Sequence, residues 1–175
     1  MRILEVVGYD KSWPASYLKE QAVIRQILSK EIINIHHIGS TAVPNLKAKP
    51  VIDILLEVND VKSLDKYDKD MKQIGYIPKG EFGISGRRFY LKGKINRTHH
   101  IHAFTKNSFE AKRHLAFRDY LIANCNIAYE YGQLKEKNAL LCNINIEMYC
   151  SLKNDFIKYH EKLALGWWNN NRKNI

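Results

Sequence analysis

One short apolar stretch, VIDILLEV at Val51–Val58, limits what this chain can fold into. Its alternating side chains are mainly apolar on both faces, which is typical of a central strand that is covered on both sides of a sheet. Only Asp53 and Glu57 interrupt the pattern, and both fall on the same face. A buried carboxylate is costly unless it is paired or coordinated, so this face must meet something polar. We therefore expect a layered fold whose central strand contributes Asp53 to a polar site.

Two kinds of partner would satisfy the Asp53 carboxylate. One is a divalent metal ion that carries nucleotide phosphates. The other is an ion pair with Arg or Lys, which is the commoner arrangement in proteins at large. The strand alone does not choose between them, and the neighbouring segments of the chain must be considered as well.

The loop before this strand, GSTAVPNLKAKP, holds residues that suit a phosphate ligand. Gly39 lets the backbone turn sharply and approach an anion closely, and the hydroxyls of Ser40 and Thr41 add hydrogen-bond donors. Lys49 adds a positive charge in the same loop. The spacing of a P-loop is absent, and an ordinary polar turn would use the same residue types. The loop is thus a predicted phosphate-binding segment, with a plain turn as the alternative.

Other apolar patterns predict the remaining elements of an α+β fold. A first helix begins at Ser12 or Trp13, and Ile32–Ile38 is a strand by its β-branched content. The segment Asp60–Gly75 has the pattern of a helix that ends at its glycine, and Arg87–Phe104 has the pattern of a hairpin. We expect the predicted strands to share one small mixed sheet that is flanked by helices.

The spacing of apolar residues changes from strand-like to helical after Asn107. About three helices are predicted downstream, with Asn107 or Ser108 and Asn126 as their N-caps. The chain thus divides into a sheet-containing part, 1–106, and a helical part, 107–175, within one predicted domain.

The second strand of the hairpin, THHIHAF, repeats the polar feature of the central strand. His100 and His102 share one face, and two histidines at that spacing can ligate one metal or act beside a phosphate. Arg87 and Arg88 stand at the start of the hairpin, and because they alternate, only one of them can face the same side. We expect the two histidines to open onto the same cleft as Asp53.

Composition narrows the class of ligand. The 175 residues carry a formal net charge of +10 and are 45% hydrophobic, which suits a packed domain that attracts anions. No block of five basic residues and no nucleic-acid-binding signature occurs, so a nucleic acid partner is not favoured. The apolar runs are too short for a membrane span or a signal peptide, so a cytoplasmic location is expected. The three cysteines, Cys125, Cys142 and Cys150, are expected to be buried thiols.

The central motif HIGSTAVPNLKAKPVIDILLEV, with RRFYL and HHIHAF further on, closely resembles the signature of the GrpB family of bacterial proteins. The resemblance covers most of the chain and implies a nucleotidyltransferase-like fold. Carried over residue by residue, the Gly-Ser phosphate motif falls on Gly39 and Ser40, and the first metal-binding acid falls on Asp53. The second acid falls on Leu55 and the third near the hairpin histidines, so this chain keeps one of three metal carboxylates.

The resemblance implies a site for a nucleoside triphosphate or a phosphorylated metabolite, with transfer of a nucleotidyl group to a small acceptor as its activity. Binding of such a ligand without turnover is the alternative. Asp53 and His102 would hold a divalent metal, Mg²⁺ or Mn²⁺, although imidazoles favour a softer ion than Mg²⁺. The predicted catalytic residues are Asp53, His100 and His102. The predicted phosphate-binding residues are Gly39, Ser40, Thr41, Lys49, Arg87 and Arg88.

Overall fold

A five-stranded mixed sheet lies at the centre of the computed structural model, which describes residues 5–142 and 145–172. Its strands are β1 (Ile32–Ile38), β2 (Ile52–Val58), β3 (Tyr76–Pro78), β4 (Arg88–Lys92) and β5 (His99–Thr105), in the order β1-β2-β5-β4-β3. β2 runs parallel to β5, and the other neighbouring pairs are antiparallel. The predicted strands therefore share one sheet, with β2 in its interior.

Six α-helices accompany the sheet in the described ranges, and none of them is long and apolar enough to cross a membrane. They are α1 (Trp13–Leu28), α2 (Asp68–Gln73), α3 (Phe109–Ala123), α4 (Cys125–Cys142), α5 (Ile146–Leu152) and α6 (Asn154–Arg172). Short 3₁₀ segments, Ser40–Ala42 and Val61–Tyr67, follow β1 and β2. The predicted α+β class, a mixed sheet with a helical C-terminal half, is confirmed. The single domain and the cytoplasmic location stay predictions.

The β2 strand separates two hydrophobic cores. Ile54 packs on the α1 side of the sheet, in a core that also contains Ile24 and Leu28. Leu55 points to the opposite face and packs in a second core, which includes Leu115 of α3. Ile54 and Leu55 are both fully buried, and burial of such a side chain contributes about 1.5–3 kcal/mol. Helices on both faces are therefore needed to cover this strand, as its sequence predicted.

The segment Asp60–Gly75, predicted as one helix, is instead a 3₁₀ segment followed by the short helix α2. Two side chains bond the local backbone at its start: Asp60 accepts from the Lys62 amide, and Ser63 donates to the Asp60 carbonyl. Such bonds compete with regular helix formation and favour a tight turn. Gly75, with a φ of +90°, ends the helical segment as predicted.

The helical half contains four α-helices in its described residues rather than three. Ser108 caps α3 as predicted, through its hydroxyl. The prediction that Asn126 is a cap is wrong, because α4 begins at Cys125 and includes Asn126 in its first turn. The additional helix, α5, has its own cap in Asn145, whose side chain accepts from a backbone amide of the first turn.

The prediction of three buried thiols holds only for Cys142, which lies on the inner side of α4 against Tyr149. Cys125 is exposed because it begins α4 at the protein surface. Cys150 is exposed as well, because it follows the buried Tyr149 on α5 and adjacent residues of a helix point in different directions.

Candidate functional site

A cavity of about 350 Å³ lies between the Asp53 face of the sheet and the C-terminal helices. Its wall combines the loop after β1, the strands β2 and β5, and side chains from α3, α4 and α5. The predicted site residues in this wall are Gly39, Ser40, Thr41, Lys49, Asp53, His100 and His102. The sheet and loop parts of the predicted cleft are therefore brought together as expected.

The parallel pairing of β2 with β5 places Asp53 directly opposite His100. His100 Nδ1 lies 3.0 Å from Asp53 Oδ1, and His102 Nε2 lies 3.7 Å from the same oxygen. Among the described residues, imidazole groups rather than an Arg or a Lys are thus the polar partners of the half-buried acid. This arrangement answers the question raised by a carboxylate in an apolar strand.

Electrostatics keep Asp53 ionised and its neighbour His102 neutral at pH 7. Burial alone would raise the pKa of Asp53, but the hydrogen bonds and charges of His100 and His102 outweigh this effect and hold the pKa well below its ordinary value. Burial lowers the pKa of His102, and Asp53 only partly offsets it. Burial also lowers the pKa of His114 in α3, whose ring centroid stands 5.2 Å from that of His102. The carboxylate thus lies beside the neutral imidazole of His102.

The loop after β1 passes directly against the Asp53 carboxylate. Gly39 has a φ of 70° and a ψ of −170°, a conformation that is essentially restricted to glycine. A Cβ at this position would lie 2.6 Å from Asp53 Oδ2, which is closer than a real contact allows. Both the backbone and the close approach therefore require the glycine. The next residue, Ser40, is half-buried and lines the cavity.

The Thr41 hydroxyl is already used inside the fold. It donates to the Val51 carbonyl oxygen at 3.3 Å and lies 3.0 Å from His37 Nε2. Since a hydroxyl has one proton to donate, His37 is the donor in the second contact. Thr41 therefore has no proton left for a phosphate, and its hydroxyl fastens the loop to the segment that precedes β2.

Arg87 and Arg88 lie on opposite sides of the sheet, as their alternation predicts. Arg88 turns away from the cavity and forms a bidentate pair with Asp65, with N···O distances of 2.6 and 2.8 Å. Arg87 is buried, and its Nη1 lies 3.4 Å from His102 Nδ1. Neither arginine belongs to the cavity wall, so the structure does not bring these two predicted phosphate ligands to the site. Arg87 reaches it only through His102.

Three lysines, Lys49, Lys135 and Lys153, line the cavity. Lys135 in α4 is only 3% exposed, and its Nζ has no hydrogen-bond partner among the described residues. It lies 4.4 Å from the centroid of the Tyr131 ring. Lys49 and Lys153 approach the ring of Tyr149 at 3.9 and 5.2 Å. Burial, together with the positive charge of Lys153, holds the pKa of Lys135 well below its usual range.

Sequence patterns did not predict the helical side of this site, which comprises His114, Tyr131, Lys135, Tyr149 and Lys153. These residues come from separate helical segments and share no motif spacing. One signal was available in α4, where the buried positions recur every three or four residues. They include Ala128, Tyr131, Lys135, Asn138 and Cys142. A lysine on the buried stripe of a helix is rare unless it has a partner, and it would have marked position 135.

The fit of a metal ion depends on the donor atoms that the site offers. Asp53, His100 and His102 form the group of potential ligands found among the described residues, with atoms that lie within 4.8 Å of one another. Two imidazoles and one carboxylate suit ions such as Mn²⁺, Fe²⁺ or Zn²⁺. Mg²⁺ prefers oxygen ligands, and the fully buried Leu55 stands where a second acid was expected. The donor set therefore does not fit the predicted Mg²⁺.

Comparison with known proteins settles the family. Residues 3–162 match the GrpB protein family. The chain belongs to the GrpB family. Its fold is similar to the crystal structure of the conserved protein GrpB from Enterococcus faecalis, with a TM-score of 0.90 and 43% sequence identity over 94% of this chain and 99% of that chain. The family that the central motif predicted is thereby confirmed.

Two relatives show how much of a GrpB-family protein this chain covers. The UPF0157 protein YqkA of Bacillus subtilis is 43% identical over 95% of this chain, which spans only 48% of the length of YqkA. The glutamate-rich protein GrpB of Alkalihalophilus pseudofirmus is 29% identical over 87% of this chain and 90% of that protein. A distant similarity, with a TM-score of 0.46 and 9% identity, is to Cid1 in complex with the UTP analogue UMPNPP. Similarity at that level carries no argument about ligand or activity.

Proposed function

We propose that this GrpB-family protein binds a phosphorylated small molecule of the nucleotide class in the cavity beside Asp53. The observation that carries the proposal is the amine of Lys135, which is buried in the cavity wall without a hydrogen-bond partner among the described residues. An amine in this position is costly for the free protein. A phosphate would offer it an acceptor and would favour its protonated form.

Two more lysines support a ligand with several negative charges. Lys49 comes from the loop before β2, and Lys153 comes from the end of α5, so the three amines approach the cavity from different segments. This convergence matches a diphosphate or triphosphate chain better than a single negative charge. Ser40, on the same wall, adds a hydroxyl donor.

The size and the apolar walls of the cavity support a small molecule rather than a polymer. Its volume of about 350 Å³ falls within the range of about 300–1,000 Å³ that is typical of small-molecule sites. Tyr131 and Tyr149 offer flat apolar surfaces beside the lysines, against which a base or another apolar group of the ligand can pack. Nucleoside triphosphates and phosphorylated metabolites share the phosphate chemistry that this site would recognise.

Transfer of a nucleotidyl group to a small acceptor is the second candidate, and the pair of Asp53 and His100 favours it. An ionised carboxylate that holds one nitrogen of an imidazole orients the other nitrogen as a general base. His100 Nδ1 faces Asp53, and its Nε2 is buried without a partner among the described residues. In a transfer reaction this Nε2 would accept the proton of the acceptor hydroxyl as the hydroxyl oxygen bonds to the α-phosphorus of the nucleoside triphosphate and pyrophosphate leaves. Binding without turnover needs Lys135 but not this pair.

Calorimetric titration with ATP and with inorganic triphosphate tests the binding proposal. Replacement of Lys135 by Met removes the amine but keeps the length of an apolar chain. We expect Lys135→Met to weaken binding by about 10- to 150-fold, the loss typical of a hydrogen bond to a charged group. The matched control is Lys137→Met, because Lys137 is exposed on the same helix. Equal affinities of the two variants, or a wild-type protein that binds neither compound, would contradict the proposal.

A further inference from the structure

We infer that Arg87 is a positioning residue that holds His102 in the tautomer whose Nε2–H points toward Asp53 and thereby prevents His102 from ligating a metal ion. The inference is independent of the proposed phosphorylated ligand. It rests on the donors and acceptors that stand in line behind Asp53, and it contradicts the expectation that Asp53 and His102 together hold a divalent ion.

The loop before β4 is built to hold the Arg87 side chain in place. Arg87 is only 6% exposed, its Nε donates to the Glu81 carbonyl oxygen at 3.1 Å, and its Nη2 donates to the Phe82 carbonyl oxygen at 2.6 Å. The guanidinium carbon also lies 4.6 Å from the centroid of the Phe89 ring. The Glu81 side chain accepts from the amide of Gly86, which closes the loop on itself. Backbone carbonyls and an aromatic ring therefore fix the guanidinium.

No carboxylate pairs directly with Arg87 among the described residues. Glu110 raises the pKa of Arg87 only from a distance, against the larger lowering effect of burial, and Glu110 itself is bound to Arg113. A buried cation without a direct counter-ion needs another source of stabilisation. Within the described ranges, the side chain that hydrogen-bonds to the guanidinium is His102, whose Nδ1 lies 3.4 Å from Nη1.

The chemistry of arginine decides the protonation state of this imidazole. A guanidinium has only donors, so His102 Nδ1 must present its lone pair to Arg87. With Nδ1 as the acceptor, the ring proton of His102 sits on Nε2. Nε2 in turn faces Asp53 Oδ1 at 3.7 Å. Arg87 therefore donates to His102, and the Nε2–H of His102 points toward Asp53 at a separation longer than a hydrogen bond, so the carboxylate attracts it electrostatically.

The arrangement of Arg87 behind His102 disfavours metal binding at His102 Nε2. A metal ligand must offer a lone pair, and a histidine that ligates through Nε2 normally donates its Nδ1–H to an acceptor behind it. Here the group behind the ring is a donor, so ligation would bring the Nδ1–H of His102 against the N–H groups of Arg87. If His102 does not ligate, the potential metal ligands are reduced to Asp53 and His100. A typical catalytic zinc site has three protein ligands, one more than this pair.

Nitrogen NMR of the full chain with ¹⁵N-labelled histidine reports the tautomer directly. The His102 signals are assigned by their loss in His102→Gln. We expect the Nε2–H tautomer in the wild-type protein and in Arg88→Met, the matched control that alters the neighbouring arginine on the opposite side of the sheet. In Arg87→Met the Nδ1–H tautomer should become populated.

Titration of the same proteins with CoCl₂, followed by visible absorption, tests the consequence for metal binding. Arg87→Met should bind Co²⁺ at least about tenfold more tightly than the wild type or Arg88→Met. Effects of that size are typical of residues that hydrogen-bond to a metal ligand. That gain should disappear when Asp53→Asn is added. An Nδ1–H tautomer in the wild type, or wild-type Co²⁺ binding that equals that of Arg87→Met and depends on His102, would overturn the inference. The wild-type tautomer decides the matter even when Arg87→Met does not fold.

Discussion

Gly39 and Asp53 meet so closely that a Cβ on Gly39 would lie 2.6 Å from Asp53 Oδ2. The backbone of Gly39 also has a positive φ of 70°. We expect Gly39→Ala to lower the free energy of unfolding by more than the 1–3 kcal/mol that is typical, roughly, of such backbone strain alone. The added methyl must also displace the carboxylate or the loop, so ligand binding should fall with stability. Thermal unfolding and ATP titration measure the two effects.

Gly86 offers a matched control for this substitution. It has a similar positive φ of 74°, but nothing lies within 4 Å of the position of its Cβ. Gly86→Ala therefore also places a side chain at a positive φ but lacks the collision with Asp53. If Gly39→Ala costs no more stability than Gly86→Ala, the close approach of the loop to the carboxylate is not a real constraint.

Asp53→Asn separates the two candidate functions. The direct partners of Asp53 are histidines, and Arg87 behind His102 keeps its bonds to two backbone carbonyls. The change should therefore cost about 1.5–3 kcal/mol of stability, the value of hydrogen bonds to a charged group, rather than the larger cost of a stranded buried cation. If the protein transfers nucleotidyl groups, the variant should lose pyrophosphate release from nucleoside triphosphates, since His100 loses its carboxylate. Melting curves and a pyrophosphate assay provide the measurements.

Glu57→Gln is the control for Asp53→Asn, because Glu57 lies on the same face of β2. Its carboxylate accepts from Asn34 and from the amide of Asn107, outside the cavity. We expect Glu57→Gln to lose about as much stability as Asp53→Asn but to keep its turnover. Turnover that survives in Asp53→Asn would exclude a catalytic role for Asp53, and equal losses in both variants would mean that only stability had changed.

Lys135→Met should make the free protein more stable while it weakens ligand binding. The buried amine has no hydrogen-bond partner among the described residues, and a methionine in its place leaves no polar group unsatisfied. We expect a gain of about 1–3 kcal/mol, or about 2–4 °C in melting temperature for each kcal/mol. The exposed Lys137→Met should stay within about 0.5 kcal/mol of the wild type. A destabilised Lys135→Met would show that the amine is satisfied in the free protein.

Much of the sheet could be predicted because its strands have simple patterns. The apolar alternation of Val51–Val58 indicates a strand that is covered on both faces, and the interruption at Asp53 marks the side on which the site lies. The position of His100 then follows from a second strand with the same interruption. What the patterns could not give was the parallel register of β2 and β5, which sets Asp53 opposite His100. Register depends on side-chain packing between segments that are far apart in sequence.

The helical wall of the site could not be predicted in the same way. Lys135 and Lys153 reach the cavity because α4 and α5 pack against each other on the far side of the cavity from the sheet, and the angle of that packing depends on tertiary contacts rather than on local sequence. The role of Arg87 could not be predicted from the sequence either. Sequence alternation showed that either Arg87 or Arg88 could face the site, and only the structure shows Arg87 standing behind His102.

The stability of the protein should depend on pH through His37, which fastens the loop beside Asp53. Its Nε2 lies 3.0 Å from the Thr41 hydroxyl, and its ring stacks on Tyr17 at a centroid distance of 4.8 Å. Burial lowers the pKa of His37 from 6.5 to about 4; the charge of Asp53 opposes this shift, and that of Arg118 adds to it. Between these two values the unfolded chain binds a proton that the folded chain does not.

Stability must therefore fall as the pH decreases from 6.5 toward 4, at up to about 1.4 kcal/mol per pH unit for one such group. Other histidines with lowered pKa values, such as His102 and His114, act in the same direction, so the contribution of His37 has to be taken from a difference. His37→Gln keeps a nitrogen donor for Thr41 and removes the titration. The stability advantage of the wild type over His37→Gln should stay constant from pH 8 to 7 and shrink from pH 6.5 to 5, as measured by urea unfolding. An advantage that is unchanged or larger at pH 5 would mean that His37 is not held neutral in the folded protein.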